Sequence, residues 1–235
     1  MLSALQQQVK SRGMTPKTFR QYLHAASREW AEGERWSRAW APHLSQCRSL
    51  LDTMIDDIVP RRIVLVLGSG AMRELPVESL GRCFERVVLV DRVHLAAGLR
   101  RTARYRQIER VWSDVAFPTG DLLGRFVAGF GPVDWVISAN ILPELGAADG
   151  GRHAMGAHLD GLAALACPAT LISALDKRIL NRHGVLLDGG SLLNGRDMPR
   201  SGQRWKWERR PLSSRGQSWR EVRMVGAWAD WRQSQ

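Results

Sequence analysis

Arg61-Arg-Ile-Val-Leu-Val-Leu-Gly-Ser-Gly70, followed by Arg86-Val-Val-Leu-Val-Asp91, decides the reading of this chain. Ile63 to Leu67 and Val87 to Val90 are short, unbroken apolar runs rich in β-branched residues, the pattern of strands covered on both faces of a parallel sheet. Gly68 and Gly70 remove two side chains where the chain must turn and a ligand can approach the backbone. Met72 to Phe84 reads as a crossover helix with Leu75, Leu80 and Phe84 on its apolar side and Pro76 in its first turn. Such a helix would offer unpaired N–H groups at its start to an anion or a carboxylate. Asp91 follows the glycines by about twenty residues, at the carboxyl end of the second strand, where a carboxylate accepts hydrogen bonds from both ribose hydroxyls. These parts make an adenosine-binding unit; the plainer alternative is a structural turn after a strand.

Outward from that unit, strand and helix keep alternating. Leu95 to Tyr105 reads as helix, Ile108 to Trp112 as a third strand running into Ser113-Asp114-Val115, and Asp121 to Ala128 as helix. Asp134 to Ser138 is a fourth strand leading into Ala139-Asn140-Ile-Leu-Pro-Glu-Leu145; residues 152–166 are helical in spacing, and Ala169 to Leu175 is a fifth strand. The alternation predicts a doubly wound, Rossmann-like, mostly parallel sheet. Trp205 to Pro211 and Trp219 to Trp228 read as an antiparallel hairpin closing one edge, and Asn181 to Asn194 as an irregular loop.

Before the sheet, Thr15-Pro16 pairs an N-cap with a first-turn proline and predicts a helix to about Trp30, with Gly33 interrupting. A second helix carries Trp36, Trp40, Leu44, Cys47, Leu51, Met54, Ile55 and Ile58 at three- and four-residue steps and ends at Pro60. The division expected is a helical extension or lid over 1–60 and a Rossmann-like domain over 61–235.

Three cysteines without C-x-x-C spacing point to neither a zinc knuckle nor a disulfide framework, so no metal site is expected. Without a signal-peptide pattern or an apolar run of membrane-spanning length, a cytoplasmic protein without membrane attachment is expected. The net charge of +11 divides as +4 over residues 1–62, +1 over 63–195 and +6 over 196–235. A basic tail containing Trp205, Trp207, Trp219, Trp228 and Trp231 is able to meet phosphates and stack bases, which keeps nucleic acid among the partners. Solvated arginines and core tryptophans are the plainer reading. Oligomeric state has no signal in the sequence.

With these elements placed, the chain resembles the class I S-adenosylmethionine-dependent methyltransferases over roughly residues 60–230, most of all bacterial members with a helical N-terminal extension. The resemblance rests on Leu67-Gly-Ser-Gly70, Val90-Asp91, Ser113-Asp114-Val115 and the stretch from Asp134 to Leu145. It implies an enzyme that transfers a methyl group from S-adenosylmethionine, with a small molecule the expected acceptor. It also implies a cofactor site of Gly68, Ser69, Gly70, Asp91, Arg92, Asp114, Val115, Ser138 and Asn140. The chain departs from the family in having Val66 two positions before the first glycine, where an acid is usual, and Met72 at a position where many members have a third glycine. The missing acid removes one partner for the methionyl ammonium. A non-catalytic relative that binds nucleic acid and an RNA-directed methyltransferase are the alternatives. A nicotinamide oxidoreductase is disfavoured because Arg73 stands where the third dinucleotide glycine belongs.

Catalytic candidates are His43 in the lid helix, Asn140 beside the expected methyl position, and Glu144. His94, His153 and His158 are further acid–base candidates because an unshifted imidazole titrates near neutrality. Ser138 to Glu144 lacks the Asn-Pro-Pro-aromatic motif of methyltransferases acting on exocyclic or amide nitrogens, which argues against a DNA-base or protein-glutamine acceptor.

Overall fold

The computed structural model describes residues 3–114, 121–147, 150–212 and 218–234. Eight strands form one sheet: β1 (Ile63–Leu67), β2 (Arg86–Asp91), β3 (Ile108–Trp112), β4 (Val133–Ala139), β5 (Ala169–Asn181), β6 (Leu186–Ser191), β7 (Gln203–Arg210) and β8 (Trp219–Trp228). Their order is β3-β2-β1-β4-β5-β8-β7, with β6 paired to the outer half of β5. The first five run parallel, while β8 is antiparallel to β5 and β7 antiparallel to β8. The doubly wound sheet with an antiparallel edge is therefore as expected.

Period-two alternation along β1 splits the core. Val64 and Val66 face a cluster with Trp40, Leu51, Trp135 and Trp207, whereas Ile63, Leu65 and Leu67 face Leu123, Val136, Leu159 and Trp231 on the other side. Asp134 fixes how β1 enters the sheet. Its carboxylate accepts from the backbone N–H of Arg62 at 2.7 Å and of Ile63 at 3.2 Å, and pairs with the Arg62 guanidinium at 2.6 Å. Burial alone would raise this carboxyl, but the Arg62 hydrogen bonds outweigh it and hold it below the usual range.

The helices are α1 (Ala4–Arg12), α2 (Leu23–Arg35), α3 (Ser37–Asp57), α4 (Val77–Cys83), α5 (Ala96–Thr102), α6 (Asp121–Ala128), α7 (Leu142–Gly146) and α8 (Gly151–Ala163). Four of them correct the sequence reading. Thr15 does not cap a following helix: its hydroxyl donates back to the Ser11 carbonyl and closes α1, which has its own Ser3–Gln6 capping box. A 3-10 segment over Lys17–Tyr22 then precedes α2. Gly33 lies inside α2, where an added Cβ would sit 2.8 Å from both Trp40 and Arg73, so it permits close packing instead of ending the helix. The crossover helix starts only at Val77, so the glycine turn runs into an irregular loop over 68–76 and not into a helix N-terminus. The stretch after Ile141 contains the short helix α7.

The expected loop over 181–194 is instead mostly the β5–β6 hairpin, with β5 continuing past Leu175 to Asn181. Asn181 organises its turn by accepting from the backbone N–H groups of His183 and Val185, both at 2.9 Å. Strand β6 is exposed along its whole length and contains Gly189-Gly190, so it lacks the alternation that marks a half-buried strand.

Candidate functional site

Sheet order reverses between β1 and β4, and the carboxyl ends of β1, β2 and β4 converge there. Gly68 and Gly70 take φ of +72° and +50°, the left-handed region that glycine enters without cost. The N–H groups of Gly68 and Ser69 donate to the Val90 carbonyl at 3.0 and 3.3 Å. Asp91 completes the fastening: one carboxylate oxygen accepts from Gly70 N–H at 2.7 Å and the other from Val93 N–H at 3.1 Å. Turn and carboxylate are thus a single hydrogen-bonded unit.

A cavity of about 200 Å³ opens over this turn, with Glu74 and Leu75 from the loop, Ala139 to Ile141 at the end of β4, Glu29 of α2, Trp40 of α3, Trp207 of β7 and Arg223 of β8 in its walls. It adjoins a cleft of about 530 Å³ bordered by Tyr22, Arg92, Val93, Leu95 and Arg209, and the two share Glu29, Gly70, Asp91 and Glu144. Charge in the cavity is opposite to that of the chain. Four carboxylates, Glu29, Glu74, Asp91 and Glu144, stand against two guanidiniums, Arg73 and Arg223. Arg73 is engaged with Glu34 and the Trp30 carbonyl and Arg223 with Glu221 at 2.8 Å, while of the carboxylates Glu144 pairs with Arg92 and Glu29 lies 3.8 Å from Arg209. Desolvation within the cavity wall raises the Glu29 carboxyl, although its side chain keeps 58% exposure; attraction to Arg209 opposes the rise and the nearby Glu74 adds to it.

The predicted residues divide into those at the cavity and those behind it. Gly68, Ser69, Gly70, Asp91, Asn140 and Glu144 line it. Arg92 borders the cleft, pairs with Glu144, approaches Asp114 at 3.7 Å and lies over the Tyr22 ring at 4.3 Å, tying the ends of β2, β3 and β4 together. Asn140, with φ +54°, anchors its side-chain oxygen on Ala174 N–H at 3.2 Å. Val115 lies outside the described residues.

Ser138 and His43 are buried and do not line this cavity. Ser138 of β4 is fully buried, its hydroxyl meets His158 Nε2 at 2.9 Å, and it is not in the cavity wall. His43 is 1% exposed and lies behind the wall: Nδ1 accepts from the Trp205 indole N–H at 3.0 Å, Nε2 faces Glu74 at 3.7 Å, and the ring stacks on Trp207 at 4.3 Å. His94 is also buried, against Trp112, and burial lowers its pKa. His153 is exposed on α8 and has no part in the cavity.

Sequence reasoning missed Glu29 and Glu74. Neither belongs to a motif, and Glu74 fell inside a stretch read as helix. The indirect signal was the Trp205-Lys-Trp207 alternation, which puts two indoles on one face of β7 against α3.

The Ser138–His158 pair has a measurable consequence. Burial lowers the His158 pKa to about 4 from an ordinary value of 6.5. The unfolded chain therefore takes up this proton first, and stability present above pH 6.5 is lost as pH falls toward 4. His158→Gln should remove roughly 3 kcal/mol of the wild-type decline across that window. Denaturant unfolding of both proteins at several pH values checks it; a pH-independent difference between them would refute the assignment.

Part of the basic tail's charge is paired with carboxylates, while Arg200, Arg204 and Lys206 are exposed. Arg209 and Arg210 pair with Glu32, Arg220 lies 3.7 Å from Glu208, and Arg232 pairs with Asp230. Trp207, Trp228 and Trp231 are core residues and Trp205 is half-buried on His43, so these four are not available to stack bases. No helix among the described residues is long and apolar enough to cross a membrane.

No family model and no curated protein sequence matches the chain. Similar solved structures include a DhpI–SAH complex (14% identity, TM-score 0.42, covering 85% of this chain and 93% of that one). A SAM-dependent methyltransferase from Anabaena variabilis matches at 12% identity and TM-score 0.42, covering 83% and 93%. The 23S rRNA methyltransferase ErmE matches at 10% identity and TM-score 0.34, covering 78% and 69%. At these values the functional reading rests on the chain's own geometry. Its strand order, with β8 inserted antiparallel between β5 and β7, is that of a Rossmann-like, mostly parallel sheet with an antiparallel edge.

Proposed function

We propose that the chain is an S-adenosylmethionine-dependent methyltransferase acting on a small acceptor. One observation carries this reading: a protein of net charge +11 surrounds its glycine turn with Glu29, Glu74, Asp91 and Glu144. Carboxylates in a confined cavity attract a sulfonium and an ammonium and repel a diphosphate. The loop over 68–76 also withholds the helix N-terminus on which a dinucleotide's pyrophosphate rests. Both observations disfavour a nicotinamide cofactor.

In this reading the adenosine lies in the cleft beside Arg92, Val93 and Leu95. Asp91 receives the ribose hydroxyls on the lone pairs that Gly70 and Val93 leave free, since each carboxylate oxygen accepts more than one hydrogen bond. Asp114, tethered to Arg92, stands toward the adenine edge. S-adenosylmethionine, when bound, supplies an electrophilic methyl on a positively charged sulfur. The chain's own part is to hold donor and acceptor in line and to exclude water, which the Trp40 and Trp207 walls and the covering helix α2 favour. Asn140, held by β5, and Glu144 border the acceptor side.

Calorimetric titration tests the reading. S-adenosylhomocysteine should bind with a dissociation constant on the order of micromolar, about −8 kcal/mol, and NAD should give no heat of binding. The reverse pattern would sink the proposal.

A further inference from the structure

The cavity wall contains a chain of contacts that the cofactor reading leaves unused. Trp205 of β7 donates its indole N–H to His43 Nδ1 at 3.0 Å. An indole nitrogen only donates, so the imidazole carries its proton on Nε2, which points at Glu74. The ring has little room to turn. It stacks on Trp207 with planes 14° apart, and it lies on the buried face of α3 beside Cys47. Burial alone would raise the Glu74 carboxyl, but His43, the Glu74 backbone and the charge of Arg73 outweigh that and keep it below the usual range.

Glu74 is thus an oriented anion facing a small cavity, its side chain 20% exposed. Among the described residues His43 is its one ion-pair-range neighbour. Glu29 of α2 lines the same cavity, as does Trp207, 2% exposed and with its indole N–H unpartnered among the described residues. Strand β1 contributes no charge here, because Val66 is buried in the core. Two carboxylates and two indole walls around one small space suit a compact organic ammonium.

We infer that Glu74, set in place by His43 and Trp205, is the carboxylate that grips the amino group of the cofactor's amino-acid end. This rests on the methyltransferase reading and adds to it a recognition element supplied by the loop after β1 and oriented by the late hairpin. His43 and Trp205 are positioning residues: neither borders the cavity, and both act through Glu74.

The test compares two ligands by calorimetry. S-adenosylhomocysteine has the amino-acid end, whereas 5′-methylthioadenosine shares the adenosine and thioether but lacks it. Glu74→Gln keeps size and removes charge; it should weaken S-adenosylhomocysteine binding by about tenfold or more and leave methylthioadenosine within about twofold. Trp205→Phe removes the donor while keeping a ring on β7, and should weaken S-adenosylhomocysteine alone by about threefold, an independent readout should the Glu74 variant fail to fold. Equal weakening of both ligands, or of neither, would overturn the assignment. Binding of neither ligand by the unaltered protein would overturn the cofactor reading itself, and the assignment with it.

Discussion

Asp91→Ala is expected to weaken S-adenosylhomocysteine binding about 100-fold while the protein stays folded, because the loss falls on charge-assisted hydrogen bonds to the ligand. The two backbone partners that Asp91 now satisfies have unequal access to solvent. Gly70 is exposed, so water can replace the carboxylate there, while Val93 is buried. A stability loss of about 1–2 kcal/mol is the expected side effect. Asp91→Asn is the sharper test. Both carboxylate oxygens accept from backbone N–H groups, and an amide offers an oxygen to only one of them while turning its own N–H₂ toward the other. Asparagine should therefore bind almost as poorly as alanine. If calorimetry finds wild-type affinity in the asparagine variant, the carboxylate does not hold the ligand.

Gly68→Ala should be the most damaging change to stability in the turn, at about 3 kcal/mol or more, a fall of about 10 °C in Tm for a chain of this size. A Cβ at Gly68 would lie 2.5 Å from the Ala139 carbonyl oxygen and 2.8 Å from Ile141, and the first of these is backbone that cannot swing aside. Gly70 is the control. It shares a positive φ, but its nearest neighbour would be the Gly68 oxygen at 4.0 Å, so Gly70→Ala carries only the conformational cost of about 1 kcal/mol. Thermal melts of the two variants separate crowding from backbone strain. Equal shifts would mean that the close approach of β1 to β4 is not what the first glycine provides.

The contrast between these glycines also shows where the sequence spoke clearly. The turn was legible because its elements are local: an apolar β-branched run, two glycines and a carboxylate at fixed spacing. The doubly wound, mostly parallel sheet followed from the alternation of strand and helix, and the late hairpin from two tryptophan-bearing runs. Glu29 and Glu74 were not legible, since their meaning depends on α2 and on an irregular loop meeting across a cavity, and periodicity does not record that meeting. His43 stood out for its chemistry but is buried behind the wall, because two indoles from a strand more than 160 positions away cover it. Ser138 sits in a motif-like stretch, yet strand alternation turns it inward to His158. The charge count likewise pointed outward to phosphates, although much of the tail's charge closes on Glu32, Glu208, Glu221 and Asp230.

The placement of β8 between β5 and β7 bears on the order in which the protein can be built. Strand β7 leaves the ribosome before β8, yet β8 is the strand it pairs with in the sheet. The parallel half, with its glycine turn and Asp91, can assemble on a nascent chain while β7 still waits for a neighbour. The wall bearing Trp207 and Arg223 therefore cannot close before β8 has been made and has paired with β5 and β7.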